Sequence, residues 1–252
     1  MRNRESTELK YGMTLDDSLD SRRDSRIAIL DSAEALFAER GYFGVSVRDI
    51  TEHAHVRLAS VNYHFRTKEK LFREVVTRRA ALVSEDRRKL LADIGGPAIS
   101  REERTHRLAS AFILPLLKRA LGEGSGWKNY CRLIAQVANS RLWASDVIAP
   151  NYDAIGKEFV NALASIFPES DMYNVHYAYQ FLVGTTLSVL TENGRIETMS
   201  DGRYRSDDLG RIYTVLLEFV SAGMVRLCTT PVPKSKGRHQ TSKVPKPIRG
   251  RS

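Results

Sequence analysis

Nine side chains between Arg48 and Lys68 have the types and spacing to hold and read a nucleic acid. Leu58-Ala59-Ser60 forms a compact stretch that lets a backbone approach a groove closely, and Ala59 can touch a thymine methyl. Ser60 can donate or accept a hydrogen bond. Asn62 can pair with an adenine edge or bond a phosphate. Tyr63 and His64 carry polar tips suited to the sugar–phosphate backbone. Arg48 can reach a guanine edge or a phosphate, and Arg57 faces the same side. Lys68, beside the backbone N–H groups that open a helix, can hold a phosphate. Taken singly, a surface arginine is most often a solvated charge and a tyrosine a rim aromatic. Their joint placement within one short segment is what points to the major groove of DNA.

Such side chains need rigid, short elements under them. Ile27, Leu30, Ala33, Ala35, Leu36 and Phe37 recur at the spacing of one helical face, and Gly41 suits the end of that helix. Ser46 is a good N-cap for a second helix, with Asp49 placed to complete a capping box. Val47, Ile50 and Ala54 face inward, and Val56 occupies a tight turn. Leu58 opens a third helix whose Val61 and Phe65 point to the core. Thr67 caps a long fourth helix with Leu71, Phe72, Val75 and Val76 on its apolar face. Further helices are expected at about 101–121, 126–142, 145–167, 171–193 and 206–228, separated by glycine- and proline-rich breaks. No sustained two-residue alternation occurs, so the fold class is all-α: a three-helix helix-turn-helix head plus a larger helical bundle. The segments near 173–192 and 209–227 are apolar on more than one stripe, which calls for a subunit interface beyond the bundle core.

The stretch from Arg26 to Tyr42, then Ser46-Val47-Arg48-Asp49-Ile50, then Tyr63-His64-Phe65-Arg66-Thr67-Lys68-Glu69-Lys70-Leu71-Phe72 resembles the tetracycline-repressor (TetR) family in order and spacing. The resemblance covers about residues 24–76. It implies a homodimer, a double-stranded DNA operator of near-palindromic form, and a helical body that binds a small-molecule effector, most often to release a repressor. Three positions depart from the family pattern: His55 stands where glycine is usual, Arg57 where a small or hydroxyl residue is usual, and Asn62 where an aromatic is common. They lie on or beside the reading surface, so no operator sequence transfers.

Within the body, Phe112, Trp127, Tyr130, Trp143, His176, Tyr177 and Phe181 are the candidate pocket residues. A pocket built from them favours an apolar or amphipathic effector, and the resemblance, through its fatty-acid-responsive members, implies an acyl or aromatic one. The plainer reading of aromatics at helical spacing is core. The domain plan is an arm at 1–20, a head at 21–76, a body at 77–228 and a tail at 229–252. In the tail Pro231, Pro233, Pro245 and Pro247 alternate with Lys234, Lys236, Arg238, Lys243, Lys246, Arg249 and Arg251 and no acidic residue intervenes. That composition reads as disordered, and the tail can add salt-sensitive DNA affinity.

With a net charge of +9 and a pI of about 9.6, the chain favours an anionic partner. Cys131 and Cys228 have neither zinc nor redox spacing and fit a reducing cytoplasm. No signal-like run and no membrane-length apolar stretch is expected. The sequence holds no GxSxG, HExxH, Walker or dinucleotide fingerprint. His53 and His55, two apart, fall on different sides of a helix. No catalytic residue, metal or cofactor is therefore expected. The competing reading is a helical interaction protein whose basic head binds a protein or an acidic surface.

Overall fold

A computed structural model describes residues 15–122 and 124–231. Residues 1–14, most of the expected arm, and 232–252, most of the basic tail, lie outside the described residues. Among those described, ten α-helices and one π-helical turn occur, with no β-strand.

The head is built from α1 (Leu15–Arg40), α2 (Val47–His53), α3 (Leu58–Phe65) and the start of α4 (Lys68–Leu91). α1 begins at Leu15, inside the segment read as an arm. Ile29, Leu30, Ala33, Leu36 and Phe37 form its buried face, whereas Ile27, expected on that face, is half exposed. Gly41, at φ 68, closes the helix as expected. Ser46 and Asp49 form a full capping box: the Asp49 N–H donates to Ser46 Oγ at 3.1 Å, and the Ser46 N–H donates to Asp49 Oδ2 at 2.6 Å. Two orphan donors of a seven-residue helix are thereby satisfied. His55 adopts φ 53, so it takes the left-handed conformation that glycine would adopt freely. Thr67 caps α4, accepting from the Lys70 N–H at 3.1 Å.

The body comprises the remainder of α4, α5 (Arg101–Gly122), α6 (Ser125–Ala138), a π turn at Ala144–Ile148, α7 (Ala149–Ile166), α8 (Met172–Leu190), the short α9 (Arg195–Met199) and α10 (Leu209–Thr229). α9 forms within what reads as a break from Gly194 to Ser206. α1 packs on α6, α4 lies between α5 and α7, and α10 lies across α5 and α8. By length and composition α10 is apolar enough to cross a membrane, against expectation, and only 33% of its most apolar window is buried. It packs α5 and α8 with one side and leaves Val215 and Phe219 exposed on the other.

Head and body share one continuous core. Its junction is aromatic: Trp143 meets Tyr42 at 4.8 Å and Phe72 at 4.6 Å, and Phe37 meets Phe72 edge-on at 5.1 Å. Burying a ring of this size stabilises by about 1.5–3 kcal/mol, so α1, α4 and the π turn are held as one unit at this point.

Candidate nucleic-acid interface and effector cavity

α3 divides cleanly. Val61 and Phe65, four apart, are buried at 2% and 1% exposure. Leu58, Ala59, Asn62 and Tyr63 occupy the opposite face and are exposed, Tyr63 by 68%. The helix is anchored by its inner face and presents an amide, a phenol, a methyl and an aliphatic chain outward. Ser60 is half-buried at the edge of that face. Arg57 is the N-cap of α3; its side chain makes no capping bond and is exposed. Arg48 is exposed on α2, its Nε donating to Glu52 Oε1 at 2.8 Å. Exposed pairs of this kind contribute little to stability.

Two of the sequence-derived residues sit differently. His64 is half-buried, and its Nε2 lies 3.1 Å from Ser25 Oγ on α1. Burial, and then the Arg26 charge, hold the imidazole below the usual histidine range. Its tip is thus turned to the framework rather than to the sugar–phosphate backbone. Lys68 lies with its Nζ 4.2 Å from the centre of the Tyr42 ring. Burial pushes this ammonium down, and Asp49 favours its charged form. Phe43, edge-on to Tyr42 and 80% exposed, is a neighbouring aromatic that sequence reasoning passed over.

Another group missed in the sequence braces the head. Glu34 of α1 is buried, and Arg79 of α4 donates to both its oxygens, Nε at 2.7 Å and Nη2 at 2.8 Å. Arg79 also lies over the Trp127 ring at 4.6 Å. Trp127, a candidate pocket residue, therefore serves the α1–α4–α6 joint.

A cavity of about 490 Å³ opens between α4, α5, α6, α7 and α8. Such a volume falls in the range that holds drug-sized ligands. Phe112 and His176 line it, as the sequence suggested. Tyr130 is fully buried behind the wall, its hydroxyl hydrogen-bonded to that of Tyr152, which does line the cavity. Trp143 belongs to the head–body junction. Tyr177 and Phe181 point outward from α8, stacked in a row with Tyr173. These four placements, with Trp127, lie outside this cavity and correct the expected pocket; Phe181 lines a second hollow, between α8 and α10, with Phe219 and Met224. The residues that replace them include Arg87, Tyr152 and Tyr179. Arg87 was legible in principle, because it continues the buried Val76, Ala80, Val83 stripe of α4 at helical spacing.

A short helix anchored by Val61 and Phe65 and presented on a three-helix head, joined to a cavity-bearing bundle, defines a helix-turn-helix protein with a larger helical body. Residues 29–75 match the sequence model for bacterial regulatory proteins of the tetR family, and residues 110–223 match that for the tetracyclin repressor-like C-terminal domain. The chain belongs to the TetR family of bacterial regulatory proteins. It is similar to the biofilm operon icaADBC HTH-type negative transcriptional regulator IcaR of Staphylococcus epidermidis, with 40% identity over 48 residues, 19% of this chain. The chain spans about a quarter of the length of the curated relatives it matches, 26% in that case. In fold it is similar to the ketosteroid transcriptional regulator KstR2 of Mycobacterium tuberculosis, with TM-score 0.54, 20% identity, and coverage of 79% of this chain and 93% of that one. FadR of Bacillus subtilis, solved with stearoyl-CoA, gives TM-score 0.50, 20% identity, and coverage of 78% and 98%.

Proposed function

We propose that this protein is a cytoplasmic, non-enzymatic transcriptional repressor that binds a near-palindromic operator as a homodimer and is released by a small apolar or amphipathic effector. The observation that carries this reading is the exposed face of Leu58, Ala59, Asn62 and Tyr63 on a helix buried on its other side, flanked by the exposed Arg48 and Arg57. Asn62 and Tyr63 read base edges or grip the backbone, while the arginines and Lys68 hold phosphates.

Dimerisation is supported by the outer face of α8 and α10. Tyr177, Phe181, Val215 and Phe219 are exposed there. A second copy related by a two-fold axis covers this face with its own α8 and α10 and sets two α3 helices into successive major grooves.

The effector acts through α4. This helix carries Phe72 in the head junction and Arg87 in the cavity wall, fifteen residues and about 22 Å apart along its axis. It is tied to the body by Arg73 to Asp146, at 3.0 Å, and by Arg88 to Glu158, at 2.9 Å. A ligand that reseats α4 at Arg87 moves the head at the other end. A hundredfold loss of operator affinity needs about 2.7 kcal/mol of difference in ligand binding between the two states. That FadR holds stearoyl-CoA supports an acyl effector in a body of this fold.

The test is footprinting of the full chain on the intergenic DNA beside its own gene, over a range of salt. A protected, near-symmetric site is expected. Binding with no sequence preference would overturn the reading in favour of an interaction protein.

A further inference from the structure

Among the described residues, Arg87 is the one charged side chain that the bundle buries in the cavity wall: 4% of its surface is exposed. Its Nε donates to the Phe112 carbonyl at 3.1 Å, and its guanidinium carbon lies 3.7 Å from the centre of the Phe112 ring. These interactions satisfy one nitrogen and one face. Among the described residues no carboxylate lies within ion-pair distance of it, and its two terminal nitrogens have no hydrogen-bond partner.

The groups around it supply no negative charge. Burial pushes the Tyr130 phenol well above its usual range, the Tyr152 phenol up to about 12, and the Cys131 thiol up to about 12, so all three are neutral near pH 7. Burial likewise raises the Tyr179 phenol. Among the described residues, the only acidic group on the cavity lining is Asp153, which is exposed at the mouth with Lys157 and His176. A buried guanidinium with no counter-ion is among the least favourable groups a core can hold. The remaining wall is aliphatic and aromatic, including Leu116, Val160 and Val183.

We propose that Arg87 is an anion anchor, and that the effector is a carboxylic acid with an apolar body, its carboxylate on the terminal nitrogens of Arg87 and its body along the aliphatic wall. The proposal rests on the cavity being the effector site and adds the chemical class and orientation of what fills it. A planar guanidinium matches a carboxylate in two parallel hydrogen bonds, which an alcohol cannot reproduce. At the mouth Lys157 is exposed to solvent and opposed by Asp153, whereas Arg87 is buried without a counter-ion and is the stronger site for the carboxylate.

The experiment compares decanoate with decanol, both below their aggregation limits, by calorimetric titration of the full chain. Arg87→Met and Lys157→Met are measured alongside. Decanoate is expected to bind at least tenfold more tightly than decanol to the natural protein. R87M should bring decanoate to the level of decanol measured on the same variant, and K157M should keep the preference. Equal binding of acid and alcohol to the natural protein overturns the anchor and leaves the cavity as the effector site. A preference lost in K157M but kept in R87M also overturns it, by reversing the ligand. Binding of neither probe to the natural protein overturns both the anchor and the cavity assignment. The natural protein and K157M together decide even where R87M does not fold.

Discussion

Glu34 and Arg79 form a two-point ion pair across α1 and α4, at 2.7 and 2.8 Å, with the carboxylate at 1% exposure. Arg78 adds a second cation to the same carboxylate at 2.9 Å. Removing the carboxylate leaves the partly buried Arg79 guanidinium without its partner, which costs about 1–3 kcal/mol. Glu34→Ala should therefore lower unfolding free energy by that order in urea titration. Arg48→Ala, at an exposed pair, should stay within about 0.5 kcal/mol of the natural protein.

The reading face makes the opposite demand. Asn62→Ala and Tyr63→Ala should each weaken operator binding by roughly 1–3 kcal/mol, the worth of a side chain on a base edge. Because both side chains are exposed, melting temperature should hardly move. Unchanged operator affinity in both variants would remove α3 from the recognition role.

Acid should loosen the head through His64. Its folded pKa lies below the ordinary value of 6.5, because burial and the neighbouring Arg26 disfavour the charged ring. The unfolded chain binds this proton more readily, so the stability contribution is complete above about pH 6.5 and is lost as pH falls towards the folded pKa. His64→Gln should flatten that limb of a stability profile measured by thermal melting between pH 7.5 and 5.

Gly44 tests the loop between α1 and α2. A Cβ built there stands 2.4 Å from the Arg40 carbonyl oxygen, which is backbone and has little room to yield. Gly44→Ala should destabilise by about 1–3 kcal/mol. Gly96→Ala, with nothing within 4 Å of the added carbon, serves as the neutral control in the same denaturation series.

Dimerisation should hang on the centre of the α8–α10 face. Phe219 is 71% exposed, so Phe219→Glu leaves the bundle core intact while setting a charge where a second copy would pack. Light scattering should show a dimer for the natural chain and a monomer for the variant. A natural chain that is monomeric at micromolar concentration would overturn the proposed assembly.

Much of the head was legible because its signals are local. Ser46 with Asp49, Thr67 before Lys68, and Val61 with Phe65 each declare an element within four residues, and the structure places them accordingly. The turn at His55 was legible only through the resemblance, in which glycine stands there, and His55 takes φ 53. The body was less transparent, since apolar periodicity says that a stripe is covered without saying by what. Tyr177 and Phe181 share a stripe that faces out of the bundle, and Trp143 fills the junction to the head. Glu34 and Arg79 are forty-five residues apart, so nothing in either neighbourhood announces the pair. His64 was assigned to the sugar–phosphate backbone for its polar tip, yet it lies one step around the helix from the exposed Tyr63 and is turned towards Ser25.

The two ends of α3 carry backbone that ordinary side chains resist. His55 sits at φ 53 before it, and Arg66 at φ 63, ψ −46 after it, where the Thr67 N–H reaches back to the Phe65 carbonyl at 2.7 Å in a tight three-residue turn. Turns of that kind are rare and strained. The strain is confined to hinge positions and leaves the outward face of α3 untouched. Some stability is therefore held in reserve, and glycine at either end would recover part of it while Leu58, Ala59, Asn62 and Tyr63 keep their places on α3. An evolving lineage can change which DNA it reads, absorb the resulting loss of stability, and make good the deficit at positions 55 and 66.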